Sequence, residues 1–264
     1  MSKLKIGIEI NEILRARWLQ FDRFYDQEFG TEDMTSTYVY DFFRDYAWKD
    51  KIEIEKELKE PGDMPENINP IEYQVDEKLG DAPADAFLFK GAKEIHLTAK
   101  EVFNRFLYED FVFEIHGSTP MMYKGMDLHV NEFYQKYKDT VEFVLFSKEN
   151  QLSIPSTLFF LSKTRCRFSN YRFVETNDEM WEGLDILVTT DPELLDNVPE
   201  GKNVIKLNRP YNGQSQDGLI KSLLQIHDLD GNPEFEKLIN YVAPPEVEDT
   251  SVKVEYNNPK IKLL

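Results

Sequence analysis

Short apolar runs and helical patterns alternate along much of this chain. The runs rich in β-branched residues predict strands at residues 4–10, 141–146, 171–174, 184–188 and 203–207. Apolar residues at three- and four-residue spacing predict helices at residues 12–29, 127–137, 155–164, 192–197 and 218–227. This alternation is typical of a parallel sheet covered by helices, so we expect an α/β fold, a Rossmann-like three-layer sandwich with residues 6–10 as a central strand.

Residues 31–115 follow a different pattern and are expected to form an insertion. Short helices are predicted at residues 38–43, 53–60 and 98–109, and prolines and a glycine interrupt the chain between residues 61 and 70. We therefore divide the chain into an α/β core of residues 1–30 and 116–231, a mostly helical inserted cap at 31–115, and a C-terminal helix with an extended arm at 232–264.

The C-terminal part is expected to be a helix at residues 234–241 followed by the arm. A Pro-Pro pair and a later Asn-Asn-Pro prevent a longer helix. Val252, Val254 and Tyr256 alternate with charged residues, as they do in a half-buried strand. Such an arm is stabilised by lying along another surface. We expect that surface to belong to a neighbouring subunit, the alternative being the chain's own core.

The composition limits the classes of partner. With 49 acidic and 31 basic residues the chain carries a formal charge of -18 and has a pI near 4.7, which argues against direct binding of nucleic acid or of an anionic membrane surface. An acidic surface that only aids solubility is the simpler explanation of this charge. Protein partners or a homo-oligomer are the contacts that we expect.

The expected location is a cytoplasm. No run approaches the roughly 20 apolar residues that span a bilayer, and the N-terminal residues lack the apolar region of a signal peptide. The single cysteine, Cys166, permits no intramolecular disulfide and is expected to be a small buried residue.

The first predicted strand runs directly into polar residues, as a strand that feeds an active-site loop does. Its sequence, Lys5-Ile-Gly-Ile-Glu-Ile-Asn-Glu-Ile-Leu14, resembles motif I of the haloacid dehalogenase (HAD) phosphohydrolases, whose first strand ends in Asp-x-Asp. The two aspartates correspond to Glu9 and Asn11 in this chain. The resemblance implies the register of a phosphatase in which the catalytic pair has been replaced.

Two further strand ends resemble motifs of the same family. Ser147 closes a Phe-Val-Leu-Phe-Ser run that resembles motif II, whose hydroxyl binds the phosphoryl group in working members. Residues 183–195 resemble motif IV of the 5′-nucleotidase-like branch, in which the strand ends in two acidic residues. Those two positions are Thr189 and Thr190 here, and Asp191 comes one residue later. The resemblance implies that these residues cluster with the end of the first strand.

Residues 206–212, Lys-Leu-Asn-Arg-Pro-Tyr-Asn, resemble the strand end Asp-Arg-Pro-Tyr-Asn of that branch most closely. Motif III, a Lys or Arg shortly before the motif IV strand, is missing, and only Lys163 on the preceding helix offers a substitute. The resemblance covers residues 1–29 and roughly 118–225.

The chemistry that the resemblance implies needs a carboxylate nucleophile, a second carboxylate as general acid and base, and Mg²⁺. Glu9 carries its carboxylate one methylene further out, and a misplacement of about 1 Å costs roughly 10²-fold. Asn11 cannot transfer a proton, a loss of about 10²–10⁴-fold. Thr189 and Thr190 replace acids that would help to hold Mg²⁺. We therefore expect no catalytic residue, no cofactor and no metal.

Two functional interpretations from different classes follow. In the first, the chain is a catalytically inactive HAD-like protein, a pseudoenzyme that acts as a structural or protein-interaction component, with a bacteriophage virion or tail as the specific expectation. In the second, it is a Mg²⁺-dependent HAD phosphatase or 5′-nucleotidase with an atypical site of Glu9, Ser147, Lys163 and Asp191. We favour the first, and Mg²⁺-dependent hydrolysis of a phosphomonoester separates the two.

Other candidate sites have simpler explanations. Residues 228–231, Asp-Leu-Asp-Gly, match the Asp-x-Asp-Gly motif superficially but follow a predicted helix, so we expect a turn. The four histidines have no metal-ligand spacing. Residues 116–118, His-Gly-Ser, are expected to be a domain-boundary loop and not a nucleophile site.

Overall fold

The structure, a computed structural model, describes residues 3–30, 41–58 and 89–240. Within these residues the strands are β1 (Leu4–Glu9), β2 (Lys51–Leu58), β3 (Phe89–Leu97), β4 (Val141–Lys148), β5 (Tyr171–Val174), β6 (Ile186–Thr189) and β7 (Asn203–Lys206). The α-helices are α1 (Arg17–Phe29), α2 (Ala99–Arg105), α3 (Met126–Tyr137), α4 (Ile154–Lys163), α5 (Asn177–Trp181), α6 (Pro192–Asp196) and α7 (Pro233–Asn240). Segments of π-helix lie at Phe106–Asp110 and Phe113–Gly117, and 3₁₀ turns at Pro210–Asn212 and Ile226–Leu229.

The larger sheet is parallel and has the strand order β5-β4-β1-β6-β7. Its central strand, β1, pairs with β4 on one side and β6 on the other, so that Ile6 lies opposite both Phe143 and Ile186. The apolar side chains Ile6 and Ile8 are buried, as they are in parallel strands covered on both faces. The predicted α/β, Rossmann-like three-layer fold is confirmed.

Two compact units divide the described residues. The first contains the residues up to Ile13, Lys124–Lys148 and those from Cys166 onward, whereas the second contains the residues from Leu14 to Tyr123 and Glu149–Arg165. This division differs from the predicted one, because α1 and α4 belong to the second unit and α7 to the first. Both α1 and α4 pack against the π-helical segment Phe113–Gly117, which explains their grouping.

The second unit contains an antiparallel pair, β2 and β3, in which Lys51 lies opposite Leu97. The helix predicted at residues 53–60 is therefore wrong for residues 53–58. Ile52, Ile54 and Leu58 recur at even spacing among charged residues, which is the period of a strand. The partner strand β3 comes from a distant part of the sequence, so the local pattern did not reveal the pairing.

The other predicted helices of the insertion have mixed outcomes. Residues 98–109 are largely helical, as α2 and the π-helical segment that follows it. Residues 41–43 instead belong to a turn in which the Asp41 carboxylate accepts two backbone hydrogen bonds, each of 3.0 Å. Residues 38–40 and 59–60 lie outside the described residues.

Residues 218–227 do not form the predicted helix, because part of this segment lies along β7. The backbone nitrogen of Leu219 donates to the carbonyl of Val204 at 2.8 Å. Gly218 permits this approach, since a Cβ atom there would lie 2.5 Å from the backbone nitrogen of Lys206. Contact with a strand therefore overrides the local helical pattern.

Two predicted helices remain, one near each end of the chain. α1 begins at Arg17, although the pattern predicts a helix from residue 12, and residues 10–16 form the segment that leaves β1. The predicted helix at 234–241 is confirmed as α7. The arm beyond it lies outside the described residues.

Candidate functional site

The candidate site lies in the first unit, at the carboxyl edge of the parallel sheet. Glu9 ends β1, Ser147 lies near the end of β4 and Thr189 ends β6, so the three residues share one edge. Asn11 and Thr190 follow the same strand ends. All five residues are buried, and even Glu9 and Asn11 are only 4% and 3% exposed. The strands that flank β1 therefore bring the residues predicted from separate motifs to one place.

The Glu9 carboxylate is held by a hydroxyl. Thr189 Oγ1 donates to Glu9 Oε2 at 2.5 Å, and the same Oγ1 accepts from the backbone nitrogen of Asp191 at 2.9 Å. Because the backbone N–H can only donate, it directs the hydroxyl proton of Thr189 toward Glu9. The carboxylate is thus stabilised by a neutral donor in a buried position.

Asn11 and Ser147 form the second pair of the cluster. Asn11 Nδ2 donates to Ser147 Oγ at 3.1 Å. The backbone beside them is fixed as well, because the nitrogen of Ile10 donates to the carbonyl of Phe146 at 2.6 Å. An amide neither gains nor loses a proton at ordinary pH, so this pair can orient a group but cannot act as a general acid or base.

Thr190 is bound by the segment that resembles the Asp-Arg-Pro-Tyr-Asn strand end. The Tyr211 hydroxyl donates to Thr190 Oγ1 at 3.0 Å, and Asn212 Nδ2 donates to the Thr190 carbonyl at 2.9 Å. Burial, followed by the negative charge of Glu12, raises the pKa of Tyr211 well above its ordinary value. Tyr211 is therefore a permanent hydrogen-bond donor at ordinary pH.

Asp191 has a structural task at the start of α6. Its carboxylate accepts from the backbone nitrogens of Glu193 at 2.7 Å and Leu194 at 3.4 Å, which makes it the N-cap of that helix. The residue is only 2% exposed. Asp191 thus lies beside the cluster in sequence, but its Oδ1 is engaged by the helix N-terminus.

Lys163 is not among the side chains that this cluster joins. It lies at the end of α4 in the second unit, is exposed, and its ammonium group donates to the carbonyl of Ser118 at 3.4 Å. Of the four residues of the atypical phosphatase site, Glu9, Ser147 and Asp191 thus belong to the first unit and Lys163 to the second.

Glu12 and Arg209 belong to the same neighbourhood, and both lie in the motif segments without having been assigned a role from the sequence. Arg209 Nη2 donates to the carbonyl of Glu12 at 2.7 Å, and Arg209 Nη1 donates to the carbonyl of Leu224 at 2.6 Å. Glu12 is 4% exposed and has a φ of 59°, a left-handed conformation that costs a non-glycine residue about 1–3 kcal/mol. The Arg209 guanidinium group thus holds the strained backbone of Glu12 in place directly after β1.

A second buried cluster, also unpredicted, lies in the second unit around Arg15. Arg15 Nη1 donates to the carbonyl of His116 at 2.5 Å and to Thr157 Oγ1 at 2.7 Å, while its Nη2 pairs with the Glu149 carboxylate. Glu149 also accepts from the hydroxyls of Ser153 at 3.0 Å and Thr157 at 2.6 Å. Since a buried ion pair is tolerated when its remaining groups are hydrogen-bonded, this set is a stable interior network.

His116 completes the Arg15 cluster as a neutral side chain. Its ring is stacked against Tyr108, with centroids 5.9 Å apart. Complete burial lowers the pKa of His116 to about 4, against the opposing effect of the Glu149 carboxylate. The predicted boundary loop at residues 116–118 is therefore wrong, because His116 and Gly117 belong to a buried π-helical segment.

Asp228 serves local backbone structure, as the predicted turn requires. Its carboxylate accepts from the backbone nitrogens of Leu224 at 2.9 Å and Gln225 at 2.8 Å.

Among the described residues, no group of three or more His, Cys, Asp or Glu side chains is placed to hold a metal ion. No helix in the described part of the chain is both long and apolar enough to cross a membrane.

Comparison with models of known protein families found no match for this chain, and neither did a search of curated proteins.

Proposed function

We propose that this chain is a catalytically inactive HAD-like protein that acts as a structural or protein-interaction component. The observation that carries the proposal is the pair of buried bonds, Thr189 to Glu9 and Asn11 to Ser147, at the strand ends. In the HAD phosphohydrolases that edge holds the nucleophile, the acid and base, and the magnesium ligands. Here side chains at the corresponding positions bind one another.

Proton transfer is the first catalytic requirement that the cluster does not meet. Phosphoryl transfer by this family's route needs a carboxylate that attacks and a second one that moves a proton. Glu9 is the carboxylate at the first position, and the second position holds the amide of Asn11. Loss of the acid–base group alone lowers the rate by about 10²–10⁴-fold.

The donor set of the cluster is a poor fit for Mg²⁺. Mg²⁺ favours carboxylates in octahedral geometry. Glu9 Oε2 accepts from Thr189, Asp191 Oδ1 accepts from the start of α6, and the remaining positions are the neutral Asn11 and Thr190. Binding the ion would require breaking several of these buried hydrogen bonds.

Burial limits access to the cluster. The residues of the cluster are 0–4% exposed, and their polar atoms are used to hold β1, β4 and β6 together at one edge. A network of this kind stabilises the fold at this edge of the sheet. Membership of a viral particle, expected from the sequence, is part of this proposal.

The catalytic part of the proposal is tested with a phosphatase assay on the full chain. Hydrolysis of p-nitrophenyl phosphate and of 5′-nucleotides with Mg²⁺ is expected to equal that of the Glu9→Gln variant, because neither protein has a working nucleophile and acid pair. Glu142→Gln, at a partly exposed position on β4, is the matched control. Turnover that Glu9→Gln abolishes and Glu142→Gln leaves intact would establish the alternative, a phosphatase with an atypical site.

The interaction part is tested by purifying the tagged chain from its native source and identifying the proteins cross-linked to it. A reproducible stoichiometric partner, or recovery in viral particles, supports the proposal. Recovery of the chain alone, at all concentrations, contradicts it.

A further inference from the structure

Two buried nitrogen atoms of the second unit have no hydrogen-bond partner among the described residues. One is Nε2 of His116, whose side chain is completely buried, and the other is Nε of Arg17, the first residue of α1. Buried polar groups in proteins are nearly always hydrogen-bonded, because a buried group without a partner is destabilising. These two atoms therefore indicate an acceptor that the described side chains do not supply.

The surroundings of His116 place the ring proton on Nε2. Arg15 Nη2, which can only donate, lies 3.4 Å from His116 Nδ1. The Glu149 carboxylate lies 3.8 Å from the same Nδ1, which is too far for a hydrogen bond from that nitrogen. Because Nδ1 accepts, the proton of the neutral ring lies on Nε2. His116 Nε2 is therefore a buried donor.

Arg17 adds a positive charge that no described residue balances. Arg15 is paired with Glu149, whereas Arg17 forms no ion pair within the part of the chain that the structure describes. The Arg17 guanidinium lies over the ring of Phe42, with Cζ 4.9 Å from the ring centroid. Stacking of this kind uses the face of the guanidinium and leaves its N–H edge to bind a planar anion.

The two donors belong to one neighbourhood at the start of α1. This helix packs against Phe113–Gly117, the π-helical segment that contains His116. Its N-cap residue, Ala16, has no side-chain acceptor, and its first turn contains no acidic residue, so the helix N-terminus also favours an anion. Burial is the main cause that lowers the pKa of His116 and raises that of Tyr108, and the charge of Arg17 acts on both, which places it near them. Arg17 and Tyr108 are half-buried, so this place lies next to the surface.

We propose that the start of α1 is a binding site for the carboxylate of a small organic acid, held by the N–H edge of Arg17 and by Nε2 of His116. The two carboxylate oxygens accept from both donors at once. A carboxylate carries one negative charge, which matches the charge of Arg17, whereas a phosphate group carries about -1.5 to -2 at pH 7. The inference does not depend on the proposed loss of catalysis, because these residues belong to the second unit.

Thermal unfolding of the full chain tests the proposal, with potassium acetate replacing potassium chloride at constant ionic strength. Acetate raises the melting temperature, because a ligand that binds only the folded state stabilises it. Arg17→Gln removes the charge and lowers the affinity for acetate by at least about tenfold. Arg23→Gln is the matched control, since Arg23 is an exposed residue of the same helix whose Cζ lies 5.5 Å from the ring centroid of Phe24. Circular dichroism verifies that both variants fold.

A second measurement at pH 7 locates the ligand without depending on stability. Acetate shifts the NMR signal of the His116 Nε2 proton, which is assigned by its loss in His116→Gln, in the wild-type chain and in Arg23→Gln. An unchanged His116 signal overturns the proposal, and so does a melting temperature that acetate raises equally in Arg17→Gln and Arg23→Gln. Inorganic phosphate that binds more tightly than acetate overturns the assignment of the site to a carboxylate.

Discussion

At the scale of the residue, Thr189 shows how a neutral side chain stabilises a buried carboxylate. One hydroxyl donates to Glu9 and accepts from the backbone of Asp191, so it satisfies two buried groups at once. Removing it leaves both groups without that partner in a place that water reaches poorly.

Thr189→Val is therefore expected to lower the free energy of unfolding by about 1–3 kcal/mol, because it keeps the shape and removes the hydroxyl. Thr189→Ser retains the donor and is expected to lose less than half as much. Urea denaturation followed by circular dichroism measures both. A loss in Thr189→Ser as large as that in Thr189→Val would contradict the dominant role of the hydroxyl.

His116 makes the second unit sensitive to acid. Its pKa is about 4 in the folded chain, below the ordinary value of 6.5, so the unfolded chain binds more protons between these values. The contribution of neutral His116 is fully present above pH 6.5 and is lost as the pH falls toward 4. Over this window the loss is on the order of 3 kcal/mol.

Unfolding measured at several pH values between 4 and 7 checks this expectation. His116→Gln should flatten the pH dependence, since glutamine binds no proton. His96→Gln is the control, because the side chain of His96 is 72% exposed and should leave the slope unchanged. Parallel slopes for all three proteins would remove His116 as the cause.

At the scale of the element, Gly218 decides that its segment follows β7. Gly218→Ala places a Cβ atom 2.5 Å from a backbone nitrogen, and backbone cannot move aside as a flexible side chain can. We expect a loss of at least about 1–3 kcal/mol. Gly213→Ala is the matched control, since the nearest atom to its Cβ is 3.9 Å away. Thermal unfolding of the two variants compares them, and equal melting temperatures would contradict the close approach.

The local hydrophobic pattern was sufficient to predict the strands of the parallel sheet. Buried strands are short apolar runs, and such a run can be recognised without knowledge of the strand that pairs with it. β5 matches its prediction, Tyr171–Val174, at both ends. Elements whose conformation depends on distant contacts were not predicted. β2 needs β3 beside it, and residues 218–227 need the backbone of β7.

The buried polar residues of the two clusters were likewise predicted only in part. Glu9, Asn11 and Ser147 were identified because they directly follow apolar runs whose ends meet at one edge. Arg15 and Glu149 were not identified, since charged residues are usually solvated and these two are 134 positions apart. A buried ion pair leaves no local signal in a single sequence.

At the scale of the whole molecule, each of the two units contains a buried polar network of its own. The residues beyond α7 lie outside the described structure, and contact with a neighbouring subunit is the prediction that we made for them from the sequence. The described fold is therefore expected to persist without the arm.

Deletion of residues 245–264 should change the free energy of unfolding by less than about 0.5 kcal/mol and abolish binding of a partner that needs the arm. Denaturation and sedimentation of the truncated chain measure the two effects. If the truncated chain unfolds or aggregates, the arm belongs to its own core.

The hydrogen-bonded tyrosine at the sheet edge also gives the protein an alkaline limit. Burial is the main cause that raises the pKa of Tyr211, and the same cause raises the pKa of Tyr46 and Tyr108. These phenols support folding fully below their ordinary pKa near 10, and that support is lost as the pH rises toward their folded values. In an alkaline titration, the ultraviolet absorbance of tyrosinate should therefore rise in two phases, the later one coinciding with loss of the circular dichroism signal. A single phase that precedes any unfolding would mean that these hydroxyls are open to hydroxide in the native chain.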